Sequence, residues 1–484
     1  MTAELTGGSG LVALRSPTGT ALVAATVLAS CVGFVDAYMI NVAVPAIGRE
    51  LPASVSQIQW VLTGYLITVA ALLLLAGALA DHFGRKRVLV AGLVVMLVAS
   101  VACALAPNAG TLIAARLVQG AGGALVVPSS LSLLNGSLRP QDRARGIGIW
   151  AGISTLGTTL GPYGGGWLVD HASWRWVFLV NVPLILAALL VLIKVPEPGE
   201  QRRPLSVDVA GAGLAVVGLA GVIFALTEGL SSGWPALVVG VVALAVLVPV
   251  ERRLRRPMLR VALFRSRPFD AINVSTVLFY GAIAAASYLV VLLCQLRLGY
   301  SATEAGAALI PESIVFLVVS PLAGALVARL GTRWPMAIGI LLVAVSFVWL
   351  AAAGPGQPYA QSILPGALLW GLGLGIAVAP LTAGVLAAVP DDDLGEASAI
   401  NDAASRVGGV VLIALVPLLL GVGAAGDFTG PLAERYRFAM LVLAAVTVAA
   451  AVLTAVFVPS RRSAAPHPAP APRVHACAVP VKGS

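Results

Sequence analysis

The chain has 484 residues, of which 59% are hydrophobic and only 11% are charged, with a formal net charge of +9. Soluble domains carry about 25% charged residues, so this chain cannot cover a globular surface with polar groups. The positive charges cluster at the ends of apolar runs, which argues against nucleic acid as a partner. The three lysines lie outside any phosphate-binding loop motif, and the cysteines and histidines lack metal-ligand spacing. These patterns predict no cofactor, no metal and no ATP-driven reaction.

Long apolar runs dominate the sequence, and a helix that spans a membrane needs about 20 apolar residues. By this criterion the sequence predicts fourteen spans between an N-terminal tail, 1–19, and a Pro/Ala-rich disordered tail, 459–484. In chain order they lie near 20–45, 57–80, 88–106, 110–134, 146–169, 176–194, 208–228, 234–250, 269–296, 304–328, 335–354, 361–388, 401–423 and 436–458.

The basic residues give this topology an orientation. With both termini in the cytoplasm, the inside loops and tails hold 23 Lys and Arg residues, whereas the outside loops hold five. This asymmetry follows the positive-inside rule and requires an even number of spans. We therefore expect a multi-pass protein of the cell membrane with both termini cytoplasmic.

Two short motifs occur twice, about half a chain apart. Gly77–Arg87 (GALADHFGRKR) resembles Gly324–Arg333 (GALVARLGTR), and Gly123–Pro128 (GALVVP) resembles Gly375–Pro380 (GIAVAP). Internal repeats in membrane chains are typical of transporters that move two halves about a central site. We expect an all-α architecture with a six-helix bundle in 20–194, two inserted helices and a basic linker in 195–268, and a second six-helix bundle in 269–458.

Three ionisable residues are predicted to lie within spans and to carry proton coupling. Asp36 lies in span 1, Arg116 in span 4 and Glu312 in span 10. A carboxylate in hydrocarbon is costly unless it is paired, protonated or in a wet cavity, and burial favours its protonated form. Asp36 is thus a candidate proton carrier or cation-binding group, with Arg116 as its natural partner. The alternatives are a solvated carboxylate near an interface for Asp36 and Glu312, and a structural arginine for Arg116.

Span 5 contains three glycines at helical spacing. Gly157, Gly161 and Gly165 fall on one helix face, and Pro162 removes a backbone donor beside them. A close-packed, bent helix of this kind suits a conformational hinge, although small-residue packing between membrane helices gives the same pattern.

Other residues are weaker candidates. Aromatic and polar side chains of the first bundle and of span 9 could line a substrate cavity, or could simply pack. They are Phe34, Tyr38, Asn41, Tyr65, Gln119 and Tyr280. Asp402 and Arg406 are four residues apart in span 13, a spacing that favours a structural ion pair.

Taken together, the motifs resemble those of the major facilitator superfamily, and in particular its fourteen-span branch of drug:proton antiporters. The resemblance covers roughly residues 20–458 and includes the hairpin motif after span 2, RLVQGAGGA in span 4 and GTTLGPYGGGWL in span 5. VDAYMINVAVPAI and WRWVFLVNVP resemble motifs of that branch specifically. The chain as a whole resembles antibiotic-resistance exporters of actinobacteria.

The resemblance implies roles for several of these residues. Arg116 would couple proton and substrate, and the span-5 glycines with Pro162 would form the antiporter hinge. Asp81, Gly77, Gly84 and Arg85 would belong to a conformational switch, with Gly84 in a tight turn and Asp81 in charge contacts. The second copy has Ala328 in place of Asp81, so any such latch is asymmetric. The alternative is that the cations of this hairpin only keep the loop on the cytoplasmic side of the membrane.

The sequence thus predicts a proton-coupled exporter of small hydrophobic or cationic drugs, not an enzyme, that works as a monomer in the lipid bilayer and uses the proton gradient instead of a cofactor. Three alternatives stay open: export of a metabolite made by the host, proton-coupled import, and a membrane sensor or scaffold that transports nothing.

Overall fold

A computed structural model describes residues 11–197, 208–228, 230–254, 261–390, 393–422 and 428–459. Within these ranges the chain is helical apart from its connections, one bridge between Val12 and Leu138, and a short 3₁₀ helix, Val261–Arg265. The two predicted tails fall largely on 1–10 and 460–484, which lie outside the described residues, as do 198–207 after span 6 and 255–260 of the predicted basic linker.

The first bundle contains seven helices in the described part of the chain. They are α1 (Pro17–Glu50), α2 (Val55–Phe83), α3 (Arg85–Ala104), α4 (Ala109–Ser137), α5 (Pro140–His171), α6 (Trp176–Leu179) and α7 (Asn181–Leu192). Side chains cap several of their N-termini: Ser16 accepts from the Gly19 N–H, and Asn108 accepts from the Thr111 N–H. These caps fix where the spanning helices begin after each loop.

The inserted pair and the second bundle follow. The pair is α8 (Val209–Glu228) and α9 (Leu230–Arg253). The second bundle is α10 (Arg267–Leu296), α11 (Ala302–Ala307), α12 (Ile310–Leu330), α13 (Arg333–Leu350), α14 (Tyr359–Ser362), α15 (Leu364–Ala387), α16 (Leu394–Ala414), α17 (Val416–Leu420) and α18 (Thr429–Phe457).

Helices occupy all fourteen predicted positions, but twelve segments within the described residues are long and apolar enough to cross a membrane. The remaining two positions hold α5, which is 32 residues long, and the shorter apolar stretch Trp176–Leu192. The all-helical membrane fold is confirmed, whereas the count of fourteen spans stays a prediction.

Several predicted spans are two helices rather than one. Span 10 divides between α11 and α12, just before Pro311, and span 13 divides between α16 and α17, just before Pro417. Proline lacks an N–H and its ring clashes with the carbonyl four residues earlier, so an interruption before it is the expected result. By contrast Pro162 lies inside α5, which is continuous from Pro140 to His171.

The internal repeat is visible in the helix packing. Gly84 and Gly331 occupy matching turns, and both have a positive φ, 100° and 73°. In the first bundle Gly92 of α3 and Gly122 of α4 each approach the carbonyl oxygen of the other, and Gly339 of α13 and Gly373 of α15 do the same in the second. The two bundles therefore share one glycine-mediated helix pairing.

The inserted pair packs at the junction of the bundles. Ile223 of α8 forms a buried cluster with Ile67 of α2 and with Val410 and Ala414 of α16. The Phe224 ring of α8 lies 6.0 Å from that of Trp60 in α2. The helix α8 thus touches one helix of each bundle.

Candidate functional site

Asp36 and Arg116 form a buried ion pair in the first bundle. Both side chains are about 1% exposed, and Arg116 Nη1 lies 2.5 Å from Asp36 Oδ2. Arg116 Nε also donates to the Val61 carbonyl of α2 at 3.1 Å. Asp36 is therefore not a solvated interfacial carboxylate in this conformation, and Arg116 is the partner that the sequence suggested.

Three polar side chains complete the environment of Asp36. Gln119 Nε2 and Asn181 Nδ2 each donate to Asp36 Oδ1 at 2.8 Å. Gln119 also donates to Ser100 Oγ at 3.0 Å and accepts from Arg116 Nη1 at 2.8 Å. Helices α1, α3, α4 and α7 thus all contribute to one network, which we call the Asp36 network: Asp36, Ser100, Arg116, Gln119 and Asn181.

Sequence reasoning missed two members of this network. Asn181 lies within the WRWVFLVNVP motif, and Ser100 lies in an otherwise apolar helix, α3. The available signal was a polar side chain inside an apolar run. Gln119 was predicted to line a substrate cavity, but here it is fully buried against Asp36.

Glycines in α4 hold Tyr65 over Arg116. A Cβ at Gly120 would meet the Tyr65 carbonyl oxygen at 2.4 Å, and a Cβ at Gly123 would meet the Tyr65 hydroxyl at 2.7 Å. These gaps let α2 approach α4, and Arg116 Cζ then lies 4.6 Å from the centre of the Tyr65 ring. Tyr65 is only 3% exposed, so it acts here as a cation–π partner of Arg116 rather than as an open cavity wall.

A second set of ionisable groups comes from the second bundle. Glu312 lies in the first turn of α12, ten residues into the span Ala302–Gly324, and accepts from Ser313 Oγ at 3.0 Å. Its charge and that of Arg406 both act on the Tyr38 hydroxyl of α1. Glu312 of α12 and Arg406 of α16 therefore lie within electrostatic range of Tyr38 in α1.

Asp402 and Arg406 in α16 form the predicted ion pair, with Arg406 Nε 3.1 Å from Asp402 Oδ2. The Asp402 side chain is 47% exposed, and its charge acts on Tyr280 of α10. Tyr38 of α1 is 41% exposed as well, and the charge of Arg406 acts on it. Polar side chains of both bundles are therefore accessible to solvent in this region.

Glu312 and Tyr65 are equivalent positions of the internal repeat. Gly371 of α15 approaches the Glu312 carbonyl oxygen just as Gly120 of α4 approaches that of Tyr65. Four residues before Gly120 stands Arg116, whereas four before Gly371 stands Ala367. The repeat therefore preserves the packing but not the charged network, which belongs to the first bundle alone.

The two bundles meet at the end of the molecule that the predicted topology places outside, which we call the outer end. Asp170 of α5 accepts from the N–H groups of Ala302 and Thr303 at 3.1 and 2.8 Å and from Thr303 Oγ1 at 2.6 Å. Nearby, a Cβ at Gly166 would lie 2.2 Å from the Ala302 carbonyl oxygen, and one at Gly306 would lie 2.1 Å from that of Pro162.

This outer contact, defined by Asp170, Gly166 and Gly306, is stabilised electrostatically. Partial burial raises the pKa of Asp170, but hydrogen bonds from Thr303 and Ala302 outweigh that effect and hold the pKa below its ordinary value of 3.8. Gln295 of α10 adds a bond from Nε2 to the Val42 carbonyl of α1 at 3.0 Å. No sequence pattern predicts this contact, because it joins residues more than a hundred positions apart.

The three predicted glycines of α5 do line one face, and that face meets α1. A Cβ at Gly157 would contact Val35, one at Gly161 would contact Val35 and Met39, and one at Gly165 would contact Met39 and Val42. The helix α5 is thus packed between α1 on one side and α11 on the other. Its role as a hinge stays a prediction.

The hairpin between α2 and α3 is tied to its own bundle. Arg85 Nη1 donates to the Ser132 carbonyl at 3.1 Å, and the backbone N–H of Lys86 donates to Glu197 at 3.1 Å. A Cβ at Gly77 would meet open space, so packing does not require that glycine in this conformation. The side chain of Asp81 lies outside the described ones, so its predicted charge contacts cannot be placed.

The remaining predicted cavity residues, Phe34 and Asn41, are half-buried in α1. Among the described residues no group of three or more His, Cys, Asp or Glu side chains is arranged to hold a metal ion.

Comparison with known proteins identifies the family. The Major Facilitator Superfamily model matches residues 26–311 and 272–482, and the chain belongs to this superfamily of membrane transporters. It is therefore a transporter and not an enzyme.

Curated relatives share about a third of its residues. Among them are the methylenomycin A resistance protein of Streptomyces coelicolor, 36% identical over 83% of this chain and 84% of that protein, and the tetracenomycin C resistance and export protein of Streptomyces glaucescens, 34% identical over 82% and 75%. The multidrug resistance protein Stp of Mycobacterium tuberculosis is 32% identical over 80% and 73%.

Solved structures support the fold. A peptide transporter has a TM-score of 0.71 at 16% identity and covers 92% of this chain and 96% of its own. A D-xylose–proton symporter has a TM-score of 0.67 at 17% identity, with coverage of 92% and 98%. At these identities the likeness concerns the fold alone.

Proposed function

We propose that the protein exports small hydrophobic or cationic antibiotics in exchange for protons, by alternating access between its two bundles. The observation that carries this proposal is the Asp36 network. In this network a buried carboxylate of the first bundle pairs with an arginine and accepts hydrogen bonds from two side-chain amides. The resistance functions named for the relatives support the direction of transport and the class of substrate.

The Asp36 network suits proton exchange because it is balanced as a charged pair. Protonation of Asp36 would neutralise the carboxylate and leave Arg116 as an uncompensated charge in a low-dielectric setting, which is strongly unfavourable. Arg116 would then be driven toward another partner or toward water. A proton arriving at Asp36 can in this way change the packing of α1 against α4.

Glu312 is a second proton carrier in this proposal, and the substrate site lies beside it, between the two bundles. Tyr38, Tyr280 and Phe34 supply aromatic surface there, while Glu312 and Asp402 supply negative charge. Such a combination favours molecules with a flat apolar body and a cationic or hydrogen-bond-donating group.

Alternating access is supported by the outer contact. The bundles are joined at the outer end through Asp170, Gly166 and Gly306, while exposed polar groups lie between them at Tyr38 and Asp402. The proposed architecture has fourteen spans, of which the inserted pair belongs to neither bundle. Both termini lie in the cytoplasm.

A second candidate substrate is an antibiotic that the host itself makes. The tetracenomycin C resistance and export protein and a probable actinorhodin transporter, 33% identical, are both among the relatives, and each is named for a single compound. The two candidates share one mechanism and differ only in the molecule carried.

The test is an export assay in a bacterial host whose own drug pumps have been deleted. Cells that make the protein should accumulate less of a fluorescent lipophilic cation, or survive more methylenomycin, puromycin or tetracenomycin, than cells with the empty vector. Collapse of the proton gradient with an uncoupler should abolish the difference. Export that survives the uncoupler, or faster inward accumulation, would contradict the proposal.

A further inference from the structure

Two grooves flank the N-terminal end of α1, at the side of the membrane that the predicted topology makes cytoplasmic. The first, about 770 Å³, lies between α1 and α7; its apolar walls include Ala21, Ala24 and Leu190, and Arg15 and Lys194 lie at its rim. Apolar walls below a cationic rim suit a molecule with an acyl chain and an anionic head.

The second groove, about 410 Å³, adjoins the first along Thr20 and Ala24 of α1 and lies against α5. Val27, Ile149 and Ile153 line its apolar part, and Arg15 and Arg145 lie at its rim. Arg15 therefore belongs to both grooves, which together we call the Arg15 grooves.

The backbone around Arg15 is fixed on both sides. The Val12 N–H donates to the Ser137 carbonyl at 2.8 Å, and the Arg139 N–H donates to the Val12 carbonyl at 3.1 Å. The Leu14 N–H donates to Asp142 Oδ2 at 3.0 Å, and Ser16 caps α1. Arg15 is thus held at one place between the two grooves rather than carried on a loose tail.

The charge at the rims is not neutralised within the described part of the chain. Arg15, Arg145 and Lys194 form no ion pair there. The nearest carboxylates have other partners, since Asp142 accepts from the Leu14 N–H and Glu197 accepts from the Lys86 N–H. Three cations therefore surround the cytoplasmic end of one helix.

We propose that the Arg15 grooves bind an anionic phospholipid of the cytoplasmic leaflet. Its phosphate lies at Arg15, within reach of Lys194 or Arg145, and its acyl chains follow the apolar walls between α1 and its neighbours α7 and α5. Basic pockets between helices on the cytoplasmic side attract anionic head groups, and long cationic side chains reach the interface while their stems stay on apolar surface.

The lipid would also act on the transporter itself. It packs against α1 below Asp36 and against α5 below the outer contact, and both helices belong to the first bundle, which the proposed alternating access moves against the second. Anionic lipid is therefore expected to stabilise the arrangement seen here, in which α1 and α5 are packed together.

The test uses the full-length protein purified in detergent and titrated with phosphatidylglycerol, with phosphatidylcholine of the same chains as the neutral lipid, while bound lipids are counted by native mass spectrometry. The variant is Arg15→Gln combined with Lys194→Gln. Arg49→Gln is the matched control, because it removes one arginine from the exposed opposite end of the same helix.

The wild type and Arg49→Gln should retain phosphatidylglycerol in preference to phosphatidylcholine. The double variant should bind phosphatidylglycerol about fivefold more weakly for each charge removed, since each cation near an anionic surface contributes about 1 kcal/mol. Phosphatidylglycerol should raise the melting temperature of the wild type but not of the double variant.

Equal binding of phosphatidylglycerol by the wild type and the double variant would overturn the proposal, as would an equal loss in Arg49→Gln. Addition of inorganic phosphate separates lipid from free anion: competition by phosphate alone, at the concentrations that displace the lipid, would mean an anion site without acyl specificity. A double variant that unfolds before lipid is added is replaced by the single variant Lys194→Gln, for which the same two outcomes apply.

Discussion

At the scale of single residues, the chemistry depends on how completely Asp36 is surrounded. Its two carboxylate oxygens accept from Arg116, Gln119 and Asn181, so the ionised form is well satisfied despite its burial. Loss of one donor weakens the ionised form relative to the protonated form, because hydrogen bonds to charged groups contribute about 1.5–3 kcal/mol.

The first prediction concerns Asn181, a positioning residue. Asn181→Ala removes one donor to Asp36 Oδ1, so proton binding at Asp36 becomes more favourable. We expect the pH of half-maximal transport to rise by about one unit, which corresponds to about 1.4 kcal/mol. The measurement is the pH profile of substrate-dependent export in membrane vesicles.

Asn401→Ala is the matched control for this variant. Its amide donates to Asn273 Oδ1 and Thr276 Oγ1 in the second bundle and has no contact with Asp36. We expect the control to leave the pH profile in place. An Asn181→Ala protein that loses activity equally at every pH would show that Asn181 only supports the fold.

Sequence alone predicted the ionisable core of this site but not its supporting residues. Asp36 and Arg116 stood out because charges in apolar runs are rare and costly. Ser100 and Asn181 did not, because a serine or an asparagine in a spanning helix is common and often bonds to its own backbone. Tyr65 was expected to line a cavity, and only the packing of α2 on α4 shows that it covers Arg116.

At the scale of helices, α5 joins the two bundles at the outer end. Its glycines at 157, 161 and 165 meet α1, while Gly166 and Pro162 meet α11. In the proposed alternating access, outward opening would therefore separate α5 from α11 while α5 stays packed on α1.

The second prediction concerns this separation. Gly166→Ala places a Cβ about 2.2 Å from the Ala302 carbonyl oxygen, so the outer contact cannot close as it does here. We expect an engineered cysteine at Thr303 to react several-fold faster with a membrane-impermeant maleimide in the Gly166→Ala protein. Labelling is compared with the chain that lacks the Thr303 cysteine, to subtract the native thiols.

Gly152→Ala is the control on the same helix, because a Cβ at Gly152 meets nothing within 4 Å. It should leave the labelling rate at Thr303 unchanged. Equal labelling rates of the Thr303 cysteine with Ala and with Gly at position 166 would mean that the outer contact does not limit access from outside.

The third prediction gives the pH dependence of the outer contact. The bonds from Thr303 and Ala302 lower the pKa of Asp170 below 3.8 in the closed state, so the closed state gains stability above that value and loses it as the pH falls through the lowered pKa. Between about pH 5 and 8 the contact should therefore be insensitive to pH.

Asp170→Asn should weaken the outer contact at all these pH values, because a neutral amide accepts more weakly than a carboxylate. Because a maleimide reacts with the thiolate, the labelling rate at each pH is divided by that of a freely exposed thiol. The normalised rate of the Thr303 cysteine should be faster in Asp170→Asn and flat with pH in both proteins. A normalised rate that rises steeply between about pH 7 and 5 with Asp170 present would place the proton sensor at the outer contact instead of at Asp36.

At the scale of the whole molecule, the repeat was the strongest information in the sequence. Matching glycines predicted two related bundles, and the paired contacts of Gly92 with Gly122 and of Gly339 with Gly373 show the same packing twice. What the repeat could not predict was the asymmetry of charge, because Arg116 has no counterpart at Ala367. Helix interruptions before Pro311 and Pro417 were also missed, since hydropathy continues smoothly across them.

The fourth prediction tests whether the inserted pair crosses the membrane, which is one condition for fourteen spans. If α8 and α9 both cross the membrane, an engineered cysteine at Ser232 lies outside and one at Arg253 lies inside. We expect a membrane-impermeant maleimide to label the Ser232 cysteine in intact cells and the Arg253 cysteine only after permeabilisation. Labelling of the Ser232 cysteine only after permeabilisation would show that the inserted pair does not span as proposed, as would the opposite pattern or labelling of both from outside.

The inserted pair would also affect how the two bundles move relative to each other. Because α8 contacts α2 and α16 together, it bridges one helix of each bundle at Ile67, Ile223 and Val410. Any rocking of the bundles has to repack this cluster, so the pair is positioned to restrain the motion.

The central claim is that Asp36 exchanges a proton for substrate, and the most direct measurement is proton release from liposomes. Purified wild type and Asp36→Asn are reconstituted with a pH-sensitive dye inside and challenged with a panel of lipophilic cations and neutral antibiotics. The account predicts substrate-triggered proton movement in the wild type and none in Asp36→Asn, at equal protein content and with the variant folded. Proton-coupled transport by Asp36→Asn at the wild-type rate would contradict it.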